Sequence, residues 1–373
     1  MDFQYSPEQL QLINEVASFA KKESAALARD YEDKSIFPRG LHKKIGQRGW
    51  TGPIVPKAYG GMGKGALEYC IIMEELSKEL ITGPQTSVQL EKMLLSFGTE
   101  RQKRLYLPKL ASGEYVAAFA ISEPQVGSSF KNLQTTAKKD NGFYIINGKK
   151  SHINLAGDAD ILMVFTRTDI GLTCILVDRD TPGVRFEKRD PLGMRTLPVY
   201  DIFLEECRVP GDHLLGEEGK GLAAFLTTFN LSRIGNASTL IGFARGCLEH
   251  AVSYARDRRV GDSRVVDFQG IQWLLAEMVA ELEAARLIRD RAALAEDVGI
   301  EHTLDTSISK LLAAEVAEKI VSRAFSLTGS YACYRESPFD RYWREIKTLQ
   351  VAGGSSEIMK NTIAREILRS YKF

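Results

Sequence analysis

The chain changes texture twice. From residue 6 to about 112, apolar positions recur at helical spacing, broken by one Pro/Gly-rich stretch, GWTGPIVPKAYGGMGKG. From Val116 to about Leu215 the runs are short and β-branched or aromatic: FYIING, DILMVFTR, LTCILVDR and VYDIFLEECRV. Turn signals at Asp140-Asn141-Gly142, Asn147-Gly148 and Thr181-Pro182-Gly183 separate them, the pattern of an all-β module. After Gly221 helical periodicity returns, as in IQWLLAEMVAELEAARLIRDRAALAE, and persists. The order helical, β, helical defines an α+β class with expected domains 1–114, 115–216 and 217–373, in line with the two or three folding units that 373 residues suggest. No repeat or low-complexity linker separates them, so the parts are expected to pack as one body with ligand sites at their concave junctions.

Charge and cysteine usage exclude several function classes. With 49 Lys plus Arg against 48 Asp plus Glu, the chain has no global field to hold nucleic acid or an anionic membrane. Its five cysteines include no CxxC pair and its five histidines no HxxxH pair, so zinc and thioredoxin-like motifs are unsupported. The odd cysteine count and the lack of a signal peptide favour a cytoplasmic location. No apolar run approaches the ~20 residues of a membrane span. The opening SPEQLQLINEVASFAKKE reads as a Ser6-capped amphipathic helix, with Leu10, Ile13, Val16 and Phe19 on one face.

Four segments carry chemistry-bearing residues. GMGKGA fits a loose GxGxxA pattern, but Pro53 and Pro56 spoil a preceding strand and no βαβ unit follows, so a turn between helices is the better reading. In AAFAISEPQVGSS an apolar strand runs into Ser122-Glu123-Pro124 and then Gly127-Ser128-Ser129, presenting hydroxyls and N–H groups that suit flavin or phosphate oxygens, or a plain strand-end turn. NGKKSHINLAGDAD reads as a hairpin turn leading to His152 and Asn154 at alternating positions, where a lone histidine is usually a packed or surface residue. In KTLQVAGGSSEIMKNTIAREIL a Gly-Gly-Ser-Ser turn precedes a helix, whose free N–H groups favour anions or are simply capped by Ser355 or Ser356.

In this order, FGTERQKRLYLPKLASGEY, ISEPQVGSS, INGKKSHINLAGDAD, VPGDHLLGEEGKGL, SRIGNAS, DFQGIQWLLAEM and GGSSEIMKNTIAREIL resemble the acyl-CoA dehydrogenase family across essentially the whole chain. The resemblance implies a helical N-terminal domain, a central β-barrel or sandwich domain and a C-terminal four-helix bundle, with FAD at the junction of a homotetramer or homodimer. It implies an acyl-CoA or acyl-carrier thioester substrate, and an electron-transfer flavoprotein or O₂ as electron acceptor. Carried over by motif, Phe119, Ile121 and Ser122 lie beside the flavin ring, with His152 and Asn154 also near it. Ser128 meets the CoA phosphates, and Arg233 lies near the acyl pocket. Arg258, Gln269 and Gly329 match contacts to a neighbouring subunit's FAD, and Ser355 and Ser356 match contacts to the phosphate-ribose portion.

The chain departs from the family at the catalytic position. Where family members place a tyrosine and the glutamate base, this chain reads Ala352-Gly353, and where some relocate the base it has Ser232. His152 replaces a tryptophan, Asn154 a threonine, Ser326 a glutamine and Val260 a phenylalanine. The resemblance implies that Gly353 retains the backbone N–H with which the family polarises the thioester carbonyl. A replacement base is expected at Glu91, which lies amid Leu90, Met93, Leu94 and Leu95 where burial would raise its pKa, or at His152. Otherwise Glu91 and Lys92 simply face solvent. The pattern implies an oxidoreductase of cyclic or otherwise unusual acyl thioesters. The alternatives are a flavin-dependent oxygenase of an acyl thioester and a catalytically inactive acyl-CoA binder.

Overall fold

The structure, a computed structural model, describes residues 4–27 and 30–370. The outer ends of the first and third expected domains, residues 1–3 and 371–373, lie outside the described residues. Six helices come first: α1 (Pro7–Leu27), α2 (Asp30–Asp33), α3 (Arg39–Gly46), α4 (Ala66–Lys78), α5 (Gln85–Phe97) and α6 (Glu100–Ala111). The start of α1 follows from a capping box: the Gln9 N–H donates to Ser6 Oγ, and the Ser6 N–H donates to Gln9 Oε1. Val16 and Phe19 are buried on this helix as expected, but Leu10 faces solvent and Leu12 takes its place in the core. The Pro/Gly-rich stretch before α4 is a turn, as its composition indicates.

Eight strands form the middle: β1 (Ala117–Ala120), β2 (Thr136–Asp140), β3 (Phe143–Asn154), β4 (Ile161–Arg167), β5 (Leu172–Asp178), β6 (Val184–Arg189), β7 (Val199–Pro210) and β8 (Leu214–Leu215). They belong to one sheet of order β6-β7-β3-β2-β4-β5-β8, with β1 also pairing parallel to β4. The apolar run of β4 reads without alternation because both of its faces are covered. Leu162 and Val164 pack inside the sheet with Tyr144 and Ile202, whereas Ile161, Met163 and Phe165 pack towards α5 and α6.

Asn141-Gly142 makes the β2–β3 hairpin turn, with positive φ at both residues. Asn147-Gly148 makes no turn. It lies within β3, where the pairing with β7 slips between Ile146 and Gly148, so the dipeptide marks a bulge. Gly148 is needed there because a Cβ would stand 2.6 Å from Thr135 Oγ1.

The C-terminal part comprises α7 (Gly221–Asp257), α8 (Gln269–Asp297), α9 (Thr303–Thr328), α10 (Pro338–Val351) and α11 (Ser356–Ser370). The long α7 belongs to all three parts. Its first turns bury Ala224 and Phe225 against the β domain, its middle puts Leu231 and Ile234 into the N-terminal core, and its later turns form the bundle core with α8 and α9. The candidate site lies along that helix.

Candidate active site at the junction

The end of β1 is held by a buried ion pair. Lys150 of β3 is 0% exposed and its ammonium donates to Glu123 Oε1 at 2.9 Å and to the Ile121 carbonyl at 3.2 Å. Glu123 also accepts the N–H groups of Gln134 (2.6 Å) and Thr135 (2.9 Å). Burial alone would raise its pKa, but these donors and the Lys150 charge outweigh that and hold the carboxyl below its ordinary range. Burial pushes Lys150 down to about 8 against the opposing pull of Glu123. The Ser122 carbonyl accepts the Ser151 N–H at 2.9 Å, so Ile121 and Ser122 are fixed from two sides.

His152 follows immediately, in the second irregularity of β3, with φ +60° and an exposed side chain. Neighbouring Ile153 is buried and Asn154 is half-buried, so the two polar residues alternate with a buried one although the pairing with β7 slips between Lys150 and Ile153. Among the described residues, no hydrogen bond or ring contact joins His152 to Glu91, Arg233 or Gly353.

An aromatic row links β1 to the middle of α7. The Phe119 ring stacks on Phe225 at 5.0 Å and lies 6.2 Å from Phe229, and the Arg233 guanidinium sits 4.9 Å above Phe229. Burial, together with the charge of Arg365, lowers the Arg233 pKa to about 10, and its Nε has no partner. The turn between α10 and α11 meets α7 at the same place. A Cβ on Gly354 would lie 4.0 Å from Arg233 Nε, and one on Gly353 would lie 2.2 Å from Asn236 Nδ2. Gly353 and Gly354 have φ of +70° and +106°, values that favour glycine. Below the turn, buried Lys310 of α9 donates to the carbonyls of Leu349 (3.0 Å) and Gln350 (2.9 Å), capping α10 just before Gly353. Burial, reinforced by the nearby Arg233 charge, lowers the Lys310 pKa to about 7.

Glu91 approaches α7 from the other side. It is 0% exposed, neither carboxyl oxygen has a hydrogen-bond partner, and burial drives its pKa well above the carboxylate range. The alternative in which Glu91 and Lys92 both face solvent therefore fails: Glu91 points inward, and Lys92 pairs with Glu296 at 2.7 Å. Tyr69 of α4 is close enough to Glu91 to feel its charge, and its buried hydroxyl is also unpartnered. That hydroxyl fits only because residue 235 is glycine; a Cβ there would stand 2.1 Å away. Gln89 ties α5 to α7 through Thr228 Oγ1 at 2.9 Å, leaving its own Oε1 unpaired.

Of the remaining expected contacts, four lie on open surface. Ser128, Arg258, Gln269 and Gly329 are exposed, and space is free beside Gly127 and beside Gly329 at φ +60°. Ser355 is half-buried and the Ser356 hydroxyl at the start of α11 is buried without a partner. An orphaned hydroxyl at a helix start, a cradle without side chains at Gly329 and a rigid strand end at Ile121–Ser122 fit FAD. Sequence reasoning did not single out Tyr69, Lys150, Asn236 or Lys310. Lys150 and Asn236 lie inside quoted motifs, but only the fold reveals their burial.

Among the described residues no helix is long and apolar enough to cross a membrane. Family models match along the chain: the acyl-CoA dehydrogenase N-terminal domain at residues 6–114, the middle domain at 118–207 and the C-terminal domain at 219–368. An acryloyl-CoA reductase (NADH) of Anaerotignum propionicum is 33% identical over 99% of this chain and 96% of its own. The butyryl-CoA dehydrogenase of Megasphaera elsdenii superposes with a TM-score of 0.95 at 31% identity, covering 99% of this chain and 100% of its own. A prolyl acyl carrier protein oxidase superposes at 0.92 with 30% identity, over 98% and 100%. This chain thus belongs to the acyl-CoA dehydrogenase family, FAD-dependent oxidoreductases of acyl thioesters.

Proposed function

We propose that this protein transfers hydrogen between FAD and an acyl-CoA or carrier-bound thioester with an unusual, cyclic or polar, acyl group, using Glu91 as the proton-carrying residue. The observation that carries this reading is the Glu91 carboxyl, fully buried and unpartnered against α7, in a chain without a carboxylate at positions 353 and 232. Desolvation raises the pKa of that group well above the ordinary carboxyl value, the direction of tuning expected of a general acid or base. A simple alkyl chain has no use for Glu91, Tyr69 and Gln89 with free polar atoms, which supports a polar or otherwise unusual acyl group.

FAD, when bound, supplies the hydride acceptor or donor. The chain's own residues do the rest. The Gly353 N–H, on a turn held through Lys310, meets the thioester oxygen, where a placed donor stabilises developing enolate charge. Glu91 takes the proton on oxidation and returns it on reduction. The names of the relatives span both directions, a CoA reductase and dehydrogenase, and a carrier-protein oxidase. Arg258, Gln269 and Gly329, all exposed in the single chain, support a homotetramer or homodimer in which they meet a neighbour's FAD. An electron-transfer flavoprotein or O₂ completes the redox cycle.

The test is anaerobic mixing of the purified yellow protein with acyl-thioester candidates. Bleaching is expected in the wild type and should slow by ~10²–10⁴ in Glu91→Gln. Protein that binds no FAD, or a variant with full turnover, would refute the reading.

A further inference from the structure

We propose that Asn236 contacts the acyl group beside the thioester and selects substrates with a hydrogen-bonding substituent on that carbon. The inference rests on the reading that a thioester lies against Gly353.

Asn236 sits in the middle of α7, 9% exposed, and its carboxamide has no hydrogen-bond partner among the described residues. Neither amide atom is among the fully buried, unpartnered polar atoms of the described residues, so both remain open at the junction, and a ligand that covers them must either pair with them or leave them unpaired. Its position relative to Gly353 indicates which part of the ligand it meets. A Cβ built on Gly353 would lie 2.2 Å from Asn236 Nδ2 and 3.4 Å from Cγ. The carboxamide thus occupies the space through which any side chain at 353 would leave the backbone, and so lies beside the thioester that the reading places against Gly353.

A carboxamide is no base for a carbon acid. It is a neutral donor and acceptor, suited to recognition. Arg233, three residues earlier on α7, brings an unpartnered Nε to the same turn. Binding an unsubstituted acyl chain would leave the Asn236 amide buried and unpaired, and a site with such a group discriminates against the ligand lacking its partner. An acyl group bearing a hydroxyl or amino substituent next to the carbonyl satisfies it. The same geometry bears on restoring a base by Gly353→Glu: the new side chain would enter at φ +70° into the Asn236 amide.

The test compares anaerobic binding of butyryl-CoA and of each enantiomer of 2-hydroxybutyryl-CoA to the FAD-loaded protein by calorimetry. Wild type is expected to bind one hydroxy thioester about tenfold tighter than butyryl-CoA, the contribution of one neutral hydrogen bond. Asn236→Leu should erase that preference, weakening the favoured hydroxy thioester and, with no unpaired amide left to bury, tightening butyryl-CoA. Equal binding of all three by wild type, or equal weakening of all three in the variant, would overturn the proposal. Absence of binding by every thioester would overturn the underlying reading with it. A second measurement needs no ligand: Gly353→Ala should lower Tm, and adding Asn236→Ala should recover part of the loss. No recovery would mean the two residues do not share that space, and the proposal falls.

Discussion

Two polar regions flank the middle of the site, and their hydrogen-bond accounts are opposite. At the end of β1, Glu123 and Lys150 are both buried charges, and each has partners: Gln134, Thr135 and the Ile121 carbonyl complete the pair. Across α4, α5 and α7, Glu91, Tyr69 and Gln89 are buried and Arg233 is half-buried, yet each leaves a polar atom free, and Asn236 makes no hydrogen bond among the described residues. A satisfied buried network fixes one geometry, whereas an unsatisfied one is retained where a ligand or a proton supplies what is missing. The first region is a frame for the cofactor side, and the second is where chemistry and selectivity reside.

Breaking the frame gives the largest effect. Lys150→Met leaves the Glu123 carboxylate buried without its cation, and a loss of about 3–5 kcal/mol in denaturant unfolding is expected. Because the folded Glu123 pKa is depressed, its stabilisation is present above the unfolded carboxyl pKa and disappears as pH falls through the depressed value. Acid unfolding of the variant should therefore lose that component. A stability change below ~1 kcal/mol would deny the frame its role.

The next effect probes the contact between α4 and α7. Gly235→Ala drives a methyl into the Tyr69 hydroxyl and ring edge and should destabilise by about 1–3 kcal/mol, and Tyr69→Leu in the same chain, which removes the ring as well as the hydroxyl, should relieve part of it. Additive effects would contradict the packing. Lys310→Met acts on position more than on stability: with the carbonyls of Leu349 and Gln350 uncapped, the Gly353 N–H is misplaced and turnover should fall by about tenfold or more with FAD still bound. Unchanged turnover would remove Lys310 from the positioning of the turn.

The smallest effect sharpens the comparison through pH. Glu91 keeps its proton in the folded chain above the pH at which the unfolded chain releases it, so its presence lowers stability as pH rises from the unfolded carboxyl pKa towards the raised one. As pH rises above the unfolded carboxyl pKa, the Tm of Glu91→Gln should rise relative to wild type. For Glu123 the expected dependence has the opposite sign.

The fold was legible where periodicity is strong. The helical, β, helical order, the Asn141-Gly142 hairpin and the Gly-Gly-Ser-Ser turn before α11 all follow from spacing and turn residues. Asn147-Gly148 misleads because the dipeptide that makes a hairpin also accommodates a bulge, and only the approach of Thr135 to Gly148 distinguishes them. At the site, the inward turn of Glu91 is foreshadowed by its apolar neighbours. The significance of Asn236 is not, because it depends on Gly353, which reaches α7 only through tertiary packing. Lys150 and Lys310 read as ordinary surface lysines until their carbonyl and carboxylate partners are brought to them from distant segments.

The central claim is that Glu91 carries the proton, and the pH profile of the reductive half-reaction tests it most directly. With a thioester that bleaches the wild-type flavin, the rate should rise with pH through a pKa well above the ordinary carboxyl value, as Glu91 becomes able to accept a proton. In Glu91→Gln, with FAD still bound, the rate should drop by ~10²–10⁴ and lose that dependence. A variant that keeps both the wild-type rate and the wild-type profile would contradict the account.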